Sequence, residues 1–252
     1  MKKSAVVLAV ALLVAVLGVS SAAFAQSSGN FTYGSNGGST HCVLNSNGSI
    51  TGGQICQQNC TLNPDGTIAC LGDGNGSNLC AGGFAAGIKT NSGNGNVFVI
   101  RPSAVVGLLT DVSLVKNSVA DIGTSSALAG VDFSVDVNPD PAQVIPSYPV
   151  TYASRFVQIS SNLFSVLATT CTTISPTNPT GSCFFNFNQS TVSAHSFDWI
   201  ATGLSSGQYV VTVNWSSSLG NTGISHALTC VGPVNLTVDQ KKVFKFNTTN
   251  SF

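Results

Sequence analysis

The chain has 252 residues, of which 7% are charged, with nine Lys plus Arg and nine Asp, and it contains no Glu. Ordinary globular domains carry roughly 25% charged residues. This composition excludes acid catalysis by Glu and disfavours long amphipathic helices, whereas the abundant Asn, Ser, Thr, Gly and Val favour strands and turns.

Residues 1–25 have the organisation of a secretory signal peptide. Lys2 and Lys3 form a basic start, residues 5–17 are an uninterrupted apolar run, and Ala23-Phe24-Ala25 is a cleavage site of A-x-A form. The apolar run is shorter than the roughly 20 residues that a membrane-spanning helix needs, so we expect cleavage and no membrane span afterwards. The leader is typical of bacteria and predicts a secreted, periplasmic or cell-surface protein.

The exported part, residues 26–252, carries seven Lys or Arg and nine Asp, hence a net charge of −2. Seven scattered cations do not make the basic surface that nucleic acids require, so we expect no nucleic-acid partner. All eight cysteines lie in this part: Cys42, Cys56, Cys60, Cys70, Cys80, Cys171, Cys183 and Cys230. An even number of cysteines in an oxidising compartment predicts disulfides.

Glycine divides the exported part into two regions. Sixteen glycines fall in residues 26–96 and nine in residues 97–252, so a small Cys- and Gly-rich module precedes a longer apolar domain. Five cysteines lie in the first region and three in the second. Because both counts are odd, at least one disulfide must join the regions if all cysteines pair within the chain. We therefore expect one covalently tied unit.

The first region contains an internal repeat at an offset of 18 residues. Residues 42–50, with the sequence CVLNSNGSI, align with residues 60–68, CTLNPDGTI, and each copy is followed by another Cys. The Asn-Gly and Asp-Gly pairs at the centre of the copies are hairpin signals, because Gly and Asn accept positive φ. The repeat therefore predicts two short hairpins.

Disulfide pairing is predicted from these hairpins. Each hairpin is expected to be closed by its own bridge, and the other four cysteines then pair by elimination, which predicts Cys42–Cys56, Cys60–Cys70, Cys80–Cys230 and Cys171–Cys183. A zinc site at Cys56 and Cys60 is the alternative interpretation. Export disfavours it, because exported cysteines are usually oxidised.

A calcium loop is the other metal site suggested by the first region. Asp73, Asn75 and Ser77 place side-chain oxygens at alternate positions. Asn78 stands where such a loop has its turn Gly, and Phe84 stands where it has its closing carboxylate. A Gly-rich turn is the simpler interpretation, so we expect no cofactor and keep calcium as the weaker alternative.

From residue 97 onward, apolar residues recur at every second position, which is the period of a strand. Residues 130–137, 209–215 and 234–238 alternate strictly. Shorter strands are predicted at residues 97–100, 105–109, 156–159, 163–168, 183–187, 197–200 and 243–246. Turn residues interrupt them at 138–141, 175–179 and 203–207. Successive strands without intervening helices predict an all-β, antiparallel β-sandwich.

Residues 201–213, with the sequence ATGLSSGQYVVTV, resemble the turn into a late strand of fibronectin-type and other immunoglobulin-like sandwich modules, where a Leu, a Gly and a Tyr lock the corner. The order Cys183, Trp199 and Cys230 can be aligned with the Cys, Trp and Cys of immunoglobulin domains, but Leu228 stands where the tyrosine corner would place Tyr. The resemblance implies an immunoglobulin-like or related sandwich and names no function.

The same turn contains a catalytic pattern. Residues 203–207 match the G-x-S-x-G of a nucleophile elbow, in which the Ser occupies a tight strand-to-helix turn. Here a strand follows, and no Asp lies between Ser205 and the only later histidine, His226. His41 and His195 lack the spacing of metal ligands. We therefore expect no catalytic residue among them.

Three functional hypotheses remain. The favoured one is an exported, non-enzymatic protein with a binding, adhesion or envelope-structural role, whose partner is carbohydrate or protein at the cell surface. The second is a secreted hydrolase acting on polysaccharide through Asp132 and Asp136, which share one strand face. The third is an outer-membrane β-barrel, suggested by the alternation from Phe244 to Phe252. The first is favoured because no catalytic constellation is complete.

Overall fold

A computed structural model describes residues 30–36, 41–72, 80–90, 95–116, 121–122, 124–141, 143–159, 162 and 183–242. Several predictions lie outside these residues and stay predictions: the signal peptide, the calcium candidate Asp73, Asn75 and Ser77, the strands at 163–168 and 243–246, the turn at 175–179, Cys171 with its bridge to Cys183, and the alternation from Phe244 to Phe252. Within the described ranges, no helix is long and apolar enough to cross a membrane.

The described chain forms fifteen strands whose pairings are all antiparallel. The strands are β1 (Phe31–Ser35), β2 (Val43–Leu44), β3 (Ile50–Thr51), β4 (Gln54–Leu62), β5 (Ile68–Gly72), β6 (Ala81–Thr90), β7 (Asn96–Lys116), β8 (Asp121–Ile122), β9 (Ser125–Asn138), β10 (Gln143–Ile145), β11 (Val150–Ile159), β12 (Cys183–Ser196), β13 (Trp199–Leu204), β14 (Gly207–Thr222) and β15 (Ile224–Lys242). The predicted all-β, antiparallel class is confirmed.

Two sheets pack face to face around one core. The larger sheet follows the order β10-β13-β7-β15-β4-β5, with β1 also paired to β15 and with β12 and β8 paired to β7. The smaller sheet follows the order β11-β9-β14-β6, and β2 and β3 form a separate hairpin. Strands from the Cys- and Gly-rich region enter both sheets, because β4 pairs with β15 and β6 pairs with β14.

The core is built by the alternating segments. Their apolar faces, predicted from the period of two, are all buried: Val131, Phe133, Val135, Val137, Tyr209, Val211, Val213, Trp215, Val234, Leu236 and Val238. They meet Phe98, Ile100 and Trp199 from the larger sheet, which have no exposed surface. Burying a side chain of this size contributes roughly 1.5–3 kcal/mol, so Phe133→Ala would cost about 3–5 kcal/mol.

Strand β7 is longer than predicted. Residues 97–100 and 105–109, predicted as two strands, belong to one strand of 21 residues. Pro102 lies between them. Along this edge of β7, pairing with β13 ends at Ile100 and pairing with β12 begins at Ser103, so Pro102 falls in the gap. Proline is tolerated where the ladder is already interrupted, so it does not end this strand.

In the turn at residues 201–213, Tyr209 bonds back to Ser205. Ser205 N donates to Tyr209 Oη at 2.9 Å, Tyr209 Oη donates to Ser205 O at 3.2 Å, and the side chains of Leu204 and Tyr209 are buried. The aligned Cys230 is bonded to Cys42 and therefore makes no immunoglobulin-type bridge to Cys183. The immunoglobulin-like assignment stays a prediction.

The two copies of the repeat form the same turn, as predicted. Asn45 N donates to Ser49 O at 2.9 Å, and Ser49 N donates to Asn47 Oδ1 at 3.0 Å. The residues eighteen positions later make the same two bonds at 2.8 and 3.0 Å: Asn63, Asp65 and Thr67. Gly48 and Gly66 have φ of 81° and 85°, a conformation that other residues rarely adopt.

Three disulfides join described cysteines: Cys42–Cys230, Cys56–Cys80 and Cys60–Cys70. The predicted bridge Cys60–Cys70 is confirmed, and its two residues lie directly opposite each other in the hairpin of β4 and β5. The predicted covalent tie between the two regions of the chain is also confirmed, and Cys42–Cys230 makes it. The N-terminal hairpin is therefore fastened to the larger sheet.

Two predicted pairs are wrong: Cys42–Cys56 and Cys80–Cys230. Gly52, not a cysteine, stands eighteen positions before Cys70, so Cys42 has no partner across its own hairpin. The chain leaves that hairpin at residues 52–53, and Cys56 then lies in β4, where it is buried and bonded to Cys80. The two copies of the repeat therefore share the turn, but only the second copy is closed by its own disulfide.

Candidate binding surface

One half of the outer face of the larger sheet, called here the covered half, lies under the hairpin of β2 and β3. Ile50 from the hairpin packs on Leu109, Leu228 and the Cys42–Cys230 bridge, and all of these side chains are buried. Cys42 N also donates to Gly232 O at 3.1 Å. Gly53 passes beside the bridge, where a Cβ would lie 2.6 Å from Cys230 Sγ. The hairpin and the bridge together form a second, smaller core.

The opposite half of this face, called here the open half, ends in β1 and carries an exposed aromatic pair. Phe31 is 61% exposed and Tyr33 is 76% exposed, and their ring centroids are 6.4 Å apart with an interplanar angle of 31°. Thr32 and Gly34 occupy the other face of β1. A Cβ at Gly34 would lie 2.9 Å from the Phe84 ring, so β1 packs tightly on the smaller sheet and directs both aromatic rings outward.

Strand β1 is held at both ends. Gln240 N donates to Asn30 O at 2.8 Å before the strand, and Asn36 N donates to Val234 O at 3.1 Å after it. Val234 N returns a bond to Asn36 Oδ1 at 2.9 Å. Five residues of β1 pair with β15 between these points. The aromatic pair therefore stands on a fixed strand rather than on a loop.

Charged side chains beside the aromatic pair form two ion pairs. Arg101 donates from Nε to Asp198 Oδ1 at 2.5 Å and from Nη2 to Asp198 Oδ2 at 2.7 Å. These hydrogen bonds lower the pKa of Asp198 and raise that of Arg101. Lys241 pairs with Asp239, which lies directly opposite Phe31. The charges of this surface are thus compensated locally.

The two carboxylates of the hydrolase hypothesis, Asp132 and Asp136, lie on the outer face of the smaller sheet and line different clefts. Asp132 lines a cleft of about 410 Å³ beside Trp215, whereas Asp136 lines a different cleft of about 760 Å³ with Asp140. Asp132 accepts hydrogen bonds from the hydroxyls of Thr151 and Ser218 at 2.5 and 3.3 Å. Asp136 accepts one from the Asn214 amide at 2.7 Å. Each carboxylate is therefore bound by neutral donors in its own cleft.

The residues of the G-x-S-x-G pattern are also separated from their suggested partner. Ser205 lies between two strands, as its context predicted, and its Oγ is 3.1 Å from Tyr209 Oη. Leu204 pairs with Asn96 on β7, whereas His226 pairs with Asp111 at the other end of that strand. These positions are roughly 50 Å apart along a strand that rises about 3.4 Å per residue.

His195 and His226 lie on different strands, β12 and β15. His226 Nε2 is buried without a hydrogen-bond partner, and burial lowers the pKa of this histidine while the charge of Asp111 opposes the shift. His195 Nε2 lies 2.6 Å from Ser193 Oγ on an exposed strand. The described part of the chain contains no group of three His, Cys, Asp or Glu able to hold a metal ion. Cys56 and Cys60 are both oxidised, which excludes the zinc interpretation.

Sequence reasoning missed the aromatic pair. The signal was the alternation of Phe31 and Tyr33 in a segment otherwise made of small and polar residues. That alternation indicates a strand with one apolar face, but it does not reveal whether the face is buried or exposed. Only the packing of Gly34 on Phe84 directs the rings outward.

Comparisons with known proteins do not identify a family. No family model matches the chain, and no curated protein matches it. A solved structure of the empty virus-like particle of Cowpea Mosaic Virus is similar over 88% of this chain and 80% of that chain, with 9% sequence identity and a TM-score of 0.13. A TM-score this low carries no argument about fold or function.

Proposed function

We propose that the protein is an exported, non-enzymatic binding protein that holds polysaccharide on the open half, around Phe31 and Tyr33. The two exposed rings on a fixed strand are the observation that carries the proposal. Aromatic side chains supply a large flat apolar contact, and Tyr adds a hydroxyl that can bond to a polar ligand. A sugar ring presents C–H groups on its faces and hydroxyls around its edge, which matches both contacts.

The disulfides support an oxidising compartment. Three bridges are found among the described residues, and such bonds persist in oxidising environments. Together with the predicted signal peptide at residues 1–25, they support a secreted, periplasmic or cell-surface location. Polysaccharides are available as ligands in each of these locations.

The proposal predicts that removing the aromatic pair abolishes binding without changing the fold. Affinity electrophoresis on a panel of purified polysaccharides compares three proteins. They are the mature chain, the double variant Phe31→Ala with Tyr33→Ala, and the control Phe156→Ala. Phe156 is a matched control, because it is also 61% exposed but lies on β11 of the smaller sheet. We expect the double variant to lose at least tenfold in affinity, about 1.4 kcal/mol, and the control to bind like the wild type.

Three outcomes would contradict the proposal. If the mature chain binds no polysaccharide, the proposed function is wrong. If the double variant binds as tightly as the wild type, the binding site is not at Phe31 and Tyr33. Release of reducing sugar from a bound polysaccharide, abolished by Asp132→Asn, would replace the proposal with the hydrolase hypothesis.

A further inference from the structure

A row of five residues crosses five strands of the open half. Phe31 on β1 lies opposite Asp239 on β15, which lies opposite Val99 on β7. Val99 lies opposite Ile200 on β13, which lies opposite Ile145 on β10. Neighbouring strands are about 4.8 Å apart, so the row is roughly 19 Å long. Four of its five side chains are apolar, and Phe31 and Ile145 at its ends are 61% and 46% exposed.

Apart from Tyr33 beside Phe31, the exposed apolar strip is only one residue wide. The neighbouring row on one side contains Tyr33, Thr237 and Arg101, and Lys241 stands on the other side. Residues on the same face of a strand are roughly 7 Å apart, so the strip offers about 130 Å². A stable protein interface buries about 800 Å² on each partner around an apolar core. A long and narrow strip therefore fits a linear chain better than a folded protein.

The charges on the borders select against an acidic ligand. Arg101 is paired with Asp198, and Lys241 is paired with Asp239, which lies within the row. To reach the two cations, a polymer with carboxylates or sulfates would have to displace Asp198 and Asp239. Its negative groups would then be repelled by these two aspartates at close range. A neutral chain meets no such repulsion, and Asp239 can accept hydrogen bonds from its hydroxyls.

We infer that the open half binds a linear, neutral polysaccharide whose chain lies across the strands, from Phe31 to Ile145. This inference rests on the proposed function and adds the class of ligand and its direction on the sheet. Ile145 thereby becomes a residue of the far end of the site, four strands away from the aromatic pair.

The test measures affinity against ligand length. Oligosaccharides of β-1,4-linked glucose, from the disaccharide to the hexasaccharide, are titrated calorimetrically into the wild type, Ile145→Ala, Phe31→Ala and the control Leu71→Ala. Leu71 is 74% exposed on β5, at the opposite edge of the same sheet. We expect Ile145→Ala to weaken binding of the longest chains threefold to tenfold and to leave the disaccharide unchanged. Phe31→Ala should weaken every length, and Leu71→Ala none.

The outcomes separate the inference from the proposed function. If Phe31→Ala weakens binding while Ile145→Ala binds every length like the wild type, the inferred direction of the ligand along the row is wrong, but the proposed function is still supported. If β-1,4-glucan, β-1,3-glucan and mannan all fail to bind the wild type, the neutral ligand is wrong, whereas binding of an acidic polymer alone would keep the function. Ile145→Thr, which keeps the branched side chain, repeats the test if Ile145→Ala fails to fold.

Discussion

The covered half and the open half of the larger sheet share strands β7 and β15 but meet different surroundings. In the covered half, Leu109 of β7 and Leu228 of β15 are each 5% exposed beneath the hairpin. In the open half, Val99 of β7 is only half-buried, and Phe31 of β1, two strands away, is exposed. The fold therefore covers one apolar surface with a dedicated hairpin and leaves the other to solvent.

The largest expected effect comes from removing the bridge that fastens the hairpin. Cys42→Ala with Cys230→Ala opens a loop whose ends are 188 residues apart, whereas Cys60→Ala with Cys70→Ala opens one of 10 residues. The chain-entropy model gives losses of about 5 kcal/mol for the first pair and about 2–3 kcal/mol for the second. Urea unfolding of both double variants measures the difference.

If the two double variants lose the same free energy of unfolding, the bridge Cys42–Cys230 stabilises the fold no more than a short local bridge does. The disulfide would then not explain why one half of the sheet is covered and the other is open. Each double variant removes both cysteines of a bridge, so it creates no new unpaired thiol that could exchange with the remaining disulfides.

A smaller effect distinguishes the halves by a single side chain. Ile50 is 4% exposed in the core of the hairpin, and we expect Ile50→Ala to reduce the free energy of unfolding by about 2–3 kcal/mol. Phe31→Ala in the open half should change it by less than about 0.5 kcal/mol, because the ring is mostly solvated already. Thermal unfolding of both variants checks the contrast. A Phe31→Ala loss as large as that of Ile50→Ala would mean that the ring serves stability, not binding.

The smallest effect is the pH dependence contributed by His226, which lies two residues before Leu228 of the covered half. Burial lowers the pKa of His226 in the folded state from 6.5, so the unfolded chain takes up a proton more readily. Stability from this group is therefore complete above about pH 6.5 and is lost as pH falls through the lower folded-state pKa. His226→Gln should flatten the stability curve between pH 7 and 5, which urea unfolding at each pH measures. Identical curves for His226→Gln and the wild type would contradict the prediction.

Local chemistry accounts for the parts of the fold that could be predicted. The strict alternation in residues 130–137 places Val131 and Phe133 in the core, because successive side chains of a strand point to opposite faces. The Asn-Gly and Asp-Gly pairs of the repeat produce identical turns, because their hydrogen bonds join residues only two to four positions apart. The bridge Cys60–Cys70 could also be predicted, because its two cysteines face each other across such a turn.

The candidate site could not be predicted in this way. The sequence drew attention to Asp132, Asp136 and Ser205, whose partners turned out to be neutral donors or a neighbouring turn. The residues that form the proposed site, Phe31 and Ile145, lie 114 positions apart in the chain and share a row only because three intervening strands pair in the observed register. The period of two gives the two faces of each strand, but it does not indicate which distant strand pairs with it or in which register.

By itself, the sequence determined the all-β class, the inward faces of the main strands and the conformation of the two repeated turns. These features depend on the period of side-chain direction and on the φ preferences of Gly and Asn, which act over a few residues. Tertiary structure alone decided that Cys42 bonds to Cys230, that a hairpin covers one half of the larger sheet and that Phe31 and Tyr33 face solvent. Each of these depends on contacts between segments far apart in the chain, which only the packed sheets bring together.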